Sequence, residues 1–356
     1  MKKFTKMWAI AACALFAGTA AVNAEDYTWK FVTAGDATTY AIRSDGSLWS
    51  WGWNEKGQGG NGVSERTATP TLADGNRVWK KAVGGKAYGF FLAEDGSLWA
   101  AGTHEGGVQG TNDGIDHKVL TRIGTDNDWA DMACSRFWGY SGFAIKTNGT
   151  LWAWGKNSAG QLGIGNTQAQ TAPVQVGADM DWKQVAAGCS SVLALKTDGS
   201  LWGWGFNMYS ELFGHEGKQL SPVRLGSETD WEQVVVIDFR AYAVKKDGTL
   251  WAWGDNANNL LGFNTPTEEE TTAEGNPVEV VTVPQITAPT HVTSIEGKVL
   301  TISGCENTLS VATGTDGVIE KVWMLGSNTD GALGDGKGLG DRKSTRLNSS
   351  HSARSR

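Results

Sequence analysis

The sequence predicts an all-β chain folded as a β-propeller of four-stranded blades. Three observations carry this: an eight-residue motif that recurs along the chain, a Trp that precedes each clear copy at near-constant distance, and a composition that excludes other classes. Of 356 residues, 48 are Gly, 18 are Trp, 19% are charged and 40% are hydrophobic. That hydrophobic share over this length can bury a sizeable core, so wholesale disorder is excluded. A Gly about every seven residues would break the helices of a long coiled coil.

The motif first appears as Asp45-Gly46-Ser47-Leu48-Trp49-Ser50-Trp51-Gly52. It returns at 95–102, at 148–155 with Asn148 in place of the Asp, at 198–205 and at 247–254. A looser sixth copy keeps Asp316-Gly317 and Trp323-Met324-Leu325-Gly326. The closing Gly steps by 50, 53, 50, 49 and 72 residues, a repeat that governs the whole fold. Trp29, Trp79, Trp182 and Trp231 stand 20 residues before the first Trp of their motif, and Trp129 stands 23 before. Only Trp8, Trp53 and Trp138 fall outside this scheme.

Copy four shows the elements. Residues 182–187 read as a first strand ending at Gly188, and 192–197 as a second, with Leu193 and Leu195 alternating against Val192, Ala194 and Lys196. Asp198-Gly199 supplies the positive-φ turn of a tight hairpin. Residues 201–205 form the third strand, with Trp202 and Trp204 on one face and Leu201, Gly203 and Gly205 on the other. Bulky against small suits sheets packed face to face. In copy three, the loop 157–165 leads to Pro173-Val174-Gln175-Val176, a fourth strand whose Pro favours an edge. Such a sheet, buried only against its neighbours, is a propeller blade; an open solenoid is the alternative and usually uses shorter units.

The loop motif is fullest at Trp154-Gly155-Lys156-Asn157-Ser158-Ala159-Gly160-Gln161-Leu162-Gly163. With Ala186-Ala187-Gly188 and Leu193-Ala194-Leu195, it resembles the repeat of the regulator of chromosome condensation family, from about Trp29 to Gly340. The resemblance implies seven blades, whereas six copies are visible and the sixth stops before its Pro-Val strand, so the expectation is that a closing blade is missing. It also implies protein ligands. Members act in nucleotide exchange on a small GTPase, and the chain is also similar to a secreted propeller-type β-lactamase inhibitory protein. The first role conflicts with the export signal and acidic body described next. For the second, contact residues do not map onto matching motifs here.

Residues 1–24 read as a secretory signal peptide: Lys2, Lys3 and Lys6, an apolar run, then Val22-Asn23-Ala24 before Glu25. The expectation is a secreted or periplasmic protein cleaved after Ala24, with no membrane span, since no segment offers 18 apolar residues. At the other end, residues 341–356 match no repeat and resemble a translated sequencing adapter, a non-native tail; a flexible basic tail is the alternative. Propeller repeats fill 25–340, interrupted by an insertion at 265–296. Its acidic start, Glu268-Glu269-Glu270, is expected to be solvated and mobile, and its Val-rich run 278–283 to extend an outer strand or form a small hairpin. The two basic ends mask a strongly acidic body, which excludes nucleic acid as the main partner.

Residues with chemistry are few. The Asp-Gly pairs are accounted for as turns, no His pair has metal-ligand spacing, and no nucleophile elbow or Cys-His arrangement occurs, so neither cofactor nor metal is expected. Cys134, Cys189 and Cys305 read as small buried hydrophobes. More informative are departures of one copy from its siblings, since architecture does not require them. These are Trp53 in copy one, His104 and Glu105 in copy two, and the longer Arg136-Phe137-Trp138-Gly139-Tyr140 turn in copy three. Copy four adds Phe206, Tyr209 and Glu211. Loop aromatics beside charges anchor protein interfaces. The reading is a non-enzymatic, exported protein-binding module. The alternatives are a glycan site stacking on Trp53, Trp138 and Tyr140, and a polysaccharide-acting enzyme using His104, Glu105 and His215.

Overall fold

The computed structural model describes residues 28–136, 139–257, 260–261, 268–271, 277–280, 285–305 and 308–326. Each repeat folds into one antiparallel sheet. Five have four strands and the sixth has three among the described residues, so the chain is a β-propeller. In blade 4 the strands are Trp182–Ala187, Ser191–Lys196, Leu201–Asn207 and Gly217–Arg224, hydrogen-bonded in that order. First strands of neighbouring blades touch, so they line the centre and the fourth strands form the outside. The signal peptide and the tail expected from the sequence lie outside the described residues.

Each hydrophobic core lies between two blades. Leu151, Ala153, Leu162 and Val176 of blade 3 meet Trp182, Val185 and Trp204 of blade 4. The opposite face of blade 4, with Leu193, Leu201 and Leu212, meets Trp231 and Trp253 of blade 5. An indole on one face therefore needs small residues opposite: a Cβ on Gly163 of blade 3 would lie 2.8 Å from the Trp204 ring. Trp79, Trp129, Trp182 and Trp231 are at most 3% exposed, whereas Trp29 of blade 1, with no blade before it among the described residues, is 41% exposed.

The motif's fixed residues hold the hairpin. Gly199 takes φ +87° while Asp198 stays right-handed, and Lys196 and Ser200 pair across a three-residue loop, a type I turn with a Gly bulge. Asp198 Oδ1 accepts from the Ser200 amide (2.8 Å) and hydroxyl (2.6 Å), and Ser200 Oγ in turn accepts from Trp202 Nε1 (2.9 Å). Blades 1, 2, 3 and 5 repeat this chain, Asn148 serving in blade 3. The turn's Gly carbonyl then accepts from the first residue of the next blade, as Gly199 O does from Trp231 N (3.2 Å). In copy six both Asp316 (φ 50°) and Gly317 (φ 79°) are left-handed, giving a two-residue turn.

A buried carbonyl in each long loop shows the blades compensating for one another. Val108 O, Gln161 O and Glu211 O accept from Trp154, Trp204 and Trp253 of the following blade at 2.7–2.8 Å. Blades 2 and 6 carry Ala101 and Leu325 instead of that Trp. There the donor is a Tyr of the carbonyl's own blade: Tyr40 Oη to Gln58 O and Tyr242 Oη to Leu260 O, both 3.1 Å. The same position is Phe90, Phe143 and Leu193 in the blades followed by a Trp. Buried carbonyls must be paired, and the chain pairs each by one of two routes.

In the insertion, Glu268–Thr271 is a strand paired antiparallel with Pro277–Val280. The Val run thus enters a separate hairpin, and the outer strand of blade 5 is Gln285–His291.

Candidate functional site

Strand order sorts the loops onto two rims. The Asp-Gly turns and the links between blades occupy one. The turns between first and second strands, and the long loops between third and fourth, occupy the other. All the described candidates, Trp53, His104, Glu105, Arg136, Tyr140, Phe206, Tyr209 and Glu211, lie at this loop rim, on blades 1–4. Phe137 and Trp138 fall outside the described residues.

Asn157 organises its long loop. It is fully buried; its Oδ1 accepts from Leu162 N (2.9 Å) and its Nδ2 donates to Asn166 O and Gln168 O. Asn54, Asn207 and Asn256 repeat the accepting contact, with Gly59, Leu212 and Leu261. Blade 2 has His104 there, and the loop is held from outside. Asp116 Oδ1 accepts from His104 N (2.9 Å) and lies 2.6 Å from its Nδ1, while Asp116 Oδ2 reaches Lys56 of blade 1 (3.7 Å). Sequence reading missed Lys56 and Asp116, although the His in an Asn position was the signal. His104 and Glu105 are exposed.

The other candidates differ in what they present. Trp53, Phe206 and Tyr209 are half-buried, and the Tyr209 ring lies 5.0 Å from Phe239 of blade 5. Tyr140 is 5% exposed, at φ 44°, and its ring is 5.9 Å from Tyr88. Burial, then the neighbouring Glu105 carboxylate, pushes its phenol above the ordinary range. A stacking surface on Trp53, Trp138 and Tyr140 thus has one half-buried ring among its two described members. Glu211 is fully buried: Oε2 accepts from Tyr209 N (2.8 Å) and Oε1 from Ser191 Oγ (3.3 Å). Burial raises its carboxyl to about 7. It stands where Gln161 accepts from Ala159 N (2.9 Å), so it braces its loop. His215 Nε2 meets Arg224 O (3.1 Å) on blade 4, two blades from His104 and Glu105, so those three form no shared cluster.

The inner turns carry a polar group the sequence left unmarked. Arg240, 4% exposed, bonds Asp238 (3.3 Å) and lies 4.0 Å from Asp255. Cys189, half-buried, points its thiol at Asp238 Oδ1 (3.6 Å), so it is not the plain buried hydrophobe expected. Cys134 is buried, and burial pushes its thiol up to about 12. Both are free thiols. The Arg136 charge acts on Cys134 and on Asp238. Among the described residues no group of three His, Cys, Asp or Glu could hold a metal ion, and no helix is long and apolar enough to cross a membrane.

With this geometry in view, family models for the regulator of chromosome condensation (RCC1) repeat match residues 45–92 and 148–195, and a second model of that repeat matches 29–58. Residues 29–92 and 148–195 of the chain thus match regulator of chromosome condensation repeats. It is similar to the ultraviolet-B receptor UVR8 of Arabidopsis thaliana, 30% identical over 45% of this chain and 37% of that protein. Human protein RCC2 is 27% identical over 41% of this chain and 19% of its own length. The chain therefore matches well under half the length of either relative. Two solved structures share the fold. Human WBSCR16 has a TM-score of 0.71 at 17% identity, over 90% of this chain and 82% of that one. Prp20p of Saccharomyces cerevisiae, whose binding to Gsp1p and histones is described with its structure, has 0.70 at 18%, over 88% and 76%.

Proposed function

We propose that this repeat protein is an exported, non-enzymatic module that binds another protein through the loop rim of blades 1–4. The observation that carries the reading is the asymmetry of the rims. In blades 1–5 the Asp-Gly rim repeats one hydrogen-bond chain, while the loop rim of blades 1–4 collects the loop aromatics and charges that depart from the repeat. His104, Glu105, Lys56 and half-buried Trp53, Phe206 and Tyr209 supply charges beside aromatic surface, the usual make-up of interface anchors. That Prp20p binds Gsp1p and histones lends support by kinship of fold.

The test places a photo-crosslinking amino acid at Glu105 or Phe206, and at Asn76 or Ser227 on the opposite rim, in the producing cell. Protein adducts from the loop-rim positions alone are expected. Equal yield from both rims sinks the reading. Export is checked by N-terminal sequencing of the mature protein, which should begin at Glu25.

A further inference from the structure

The link from the outer strand of one blade to the first strand of the next departs from the repeat in one place. Leu72, Arg122, Gln175 and Arg224, each paired with the first Trp of its motif, stand seven residues before the Trp that opens the next blade. His291, paired with Trp251, stands eight before Val299, the opening residue of blade 6. Three side chains change there together. Arg122 and Arg224 cap carbonyls of their own links, Thr125 O (2.8 Å) and Ser227 O (3.0 Å). The shorter His291 lies along the Trp251 ring (5.4 Å, 31°) and bonds no link carbonyl among the described residues. Asp128, Asp181 and Asp230, the last residues of the links before blades 3, 4 and 5, pair with Lys146, Lys196 and Lys245. Blade 6 has Thr313 in place of that Lys and Lys298 in place of the Asp, the Lys298 carbonyl still accepting from Gly314 N (3.0 Å). Val299 replaces the indole, its amide still donating to Gly248 O (2.9 Å).

An indole exchanged for an isopropyl group, beside a link one residue longer, leaves space. A cavity of about 290 Å³ stands at the Asp-Gly rim between the blade 5 turn and this link. Buried Leu250 and Val299 and half-buried Ile295 supply its apolar lining, and Asp247, His291 and Lys298 its polar lining. Asp247 Oδ1 is taken by Thr249, whereas Oδ2 accepts from no described donor. Among the described residues none of Asp247, His291 and Lys298 is ion-paired, so opposite charges line one cavity without meeting. Its volume is at the small end for ligand pockets, too small for a nucleotide or an oligosaccharide. We propose that the cavity binds a free α-amino acid with an apolar side chain. The ammonium sits on Asp247 Oδ2, the carboxylate on Lys298 and His291, and the side chain against Leu250, Ile295 and Val299. Each charge of the site then gains a partner, and two charge-assisted contacts of opposite sign discriminate against analogues that carry one charge. This site lies on the rim opposite the loop site and does not depend on it.

The probe is L-leucine, titrated by calorimetry into the full chain, with leucinamide and N-acetylleucine as controls that lack one charge each. Saturable binding of leucine is expected, with each control weaker by about tenfold or more. Val299→Trp returns the indole of the sibling blades to the cavity and should abolish binding. Val299 is buried, so a second variant guards against misfolding. Lys298→Glu, at an exposed position, should weaken leucine by about tenfold or more while leaving thermal unfolding unchanged. No saturation by about 10 mM, equal affinity for leucine and either control, or full binding of leucine by Lys298→Glu or by a folded Val299→Trp variant overturns the proposal.

Discussion

The two rims are built from the same repeats and have opposite characters. On the Asp-Gly rim, five copies solve one problem in one way: an acid or amide holds a hydroxyl, the hydroxyl holds an indole, and the Gly carbonyl receives the next blade. On the loop rim each copy varies the solution. Blade 2 exchanges a buried Asn for His104 and an external Asp116, blade 4 exchanges Gln for Glu211, and blade 5 buries Arg240. A turn stitched to the following blade has no freedom, whereas a loop that closes on itself can be rebuilt locally. The most deeply buried charges, Glu211 and Arg240, lie at the loop rim, deeper than Asp74 and Lys196 at the other, and the largest effects of substitution are expected there.

Arg240→Ala should show this most strongly. It strands Asp238 and Asp255 near the centre without their guanidinium, and breaking such a buried pair costs about 3–5 kcal/mol. Urea unfolding at pH 7 reads it; a loss below about 1 kcal/mol would mean that the inner turns are wetter than the fold implies. Glu211→Gln comes next and has the opposite sign. Its carboxyl titrates near 7 folded and near 4.5 unfolded, so its contribution is intact below about pH 4.5 and is lost as pH rises through 7. The variant should match the parent at pH 4.5 and exceed it by about 3 kcal/mol at pH 8. A gain that does not depend on pH would assign the effect to packing.

Tyr40→Phe addresses the boundary between shared and copy-specific structure. It leaves Gln58 O unpaired in a dry core and should cost about 1–3 kcal/mol. Phe90→Tyr, adding a hydroxyl where Trp154 already serves Val108 O, should gain nothing. Equal effects in the two variants would show that the donor swap is incidental.

This pairing also marks what the sequence can tell. The hairpin motif, the strand order and the Pro edges are local, so each copy displays them and the siblings confirm them. The outer Pro173 strand and the Trp202/Trp204 face could be placed from the spacing alone. Donor replacement acts between blades: Tyr40 matters because Ala101, a repeat later, is not Trp. Six aligned copies do contain the signal, Tyr in the two copies whose successor lacks the indole, but its meaning needs the packing. Glu211 and Tyr140 stood out as departures for the same reason that binding residues do. Only burial separates a loop brace from a surface anchor, and burial depends on how far each loop folds back on its neighbour.

The smallest effect belongs to the Asp-Gly rim, and its uniformity is the sharper test. Asp198→Ala removes two hydrogen bonds at a solvent-facing turn and should cost about 1 kcal/mol. Asp45→Ala should cost the same, and the double variant the sum, because turns three blades apart share no partner. Ser200 and Thr249, through hydroxyl and amide, hold the Asp198 and Asp247 carboxyls below the ordinary carboxylate range. Their contribution is therefore complete above the unfolded value near 3.8 and is lost as pH falls through the lower folded value. Asn148 has no proton to gain, so Asn148→Ala should cost the same at pH 3 as at pH 7, while the Asp198→Ala deficit shrinks on acidification. A deficit at Asp198 that stays constant with pH would mean that the amide-like geometry alone holds the turn. The five copies would then be equivalent in charge as well as in shape.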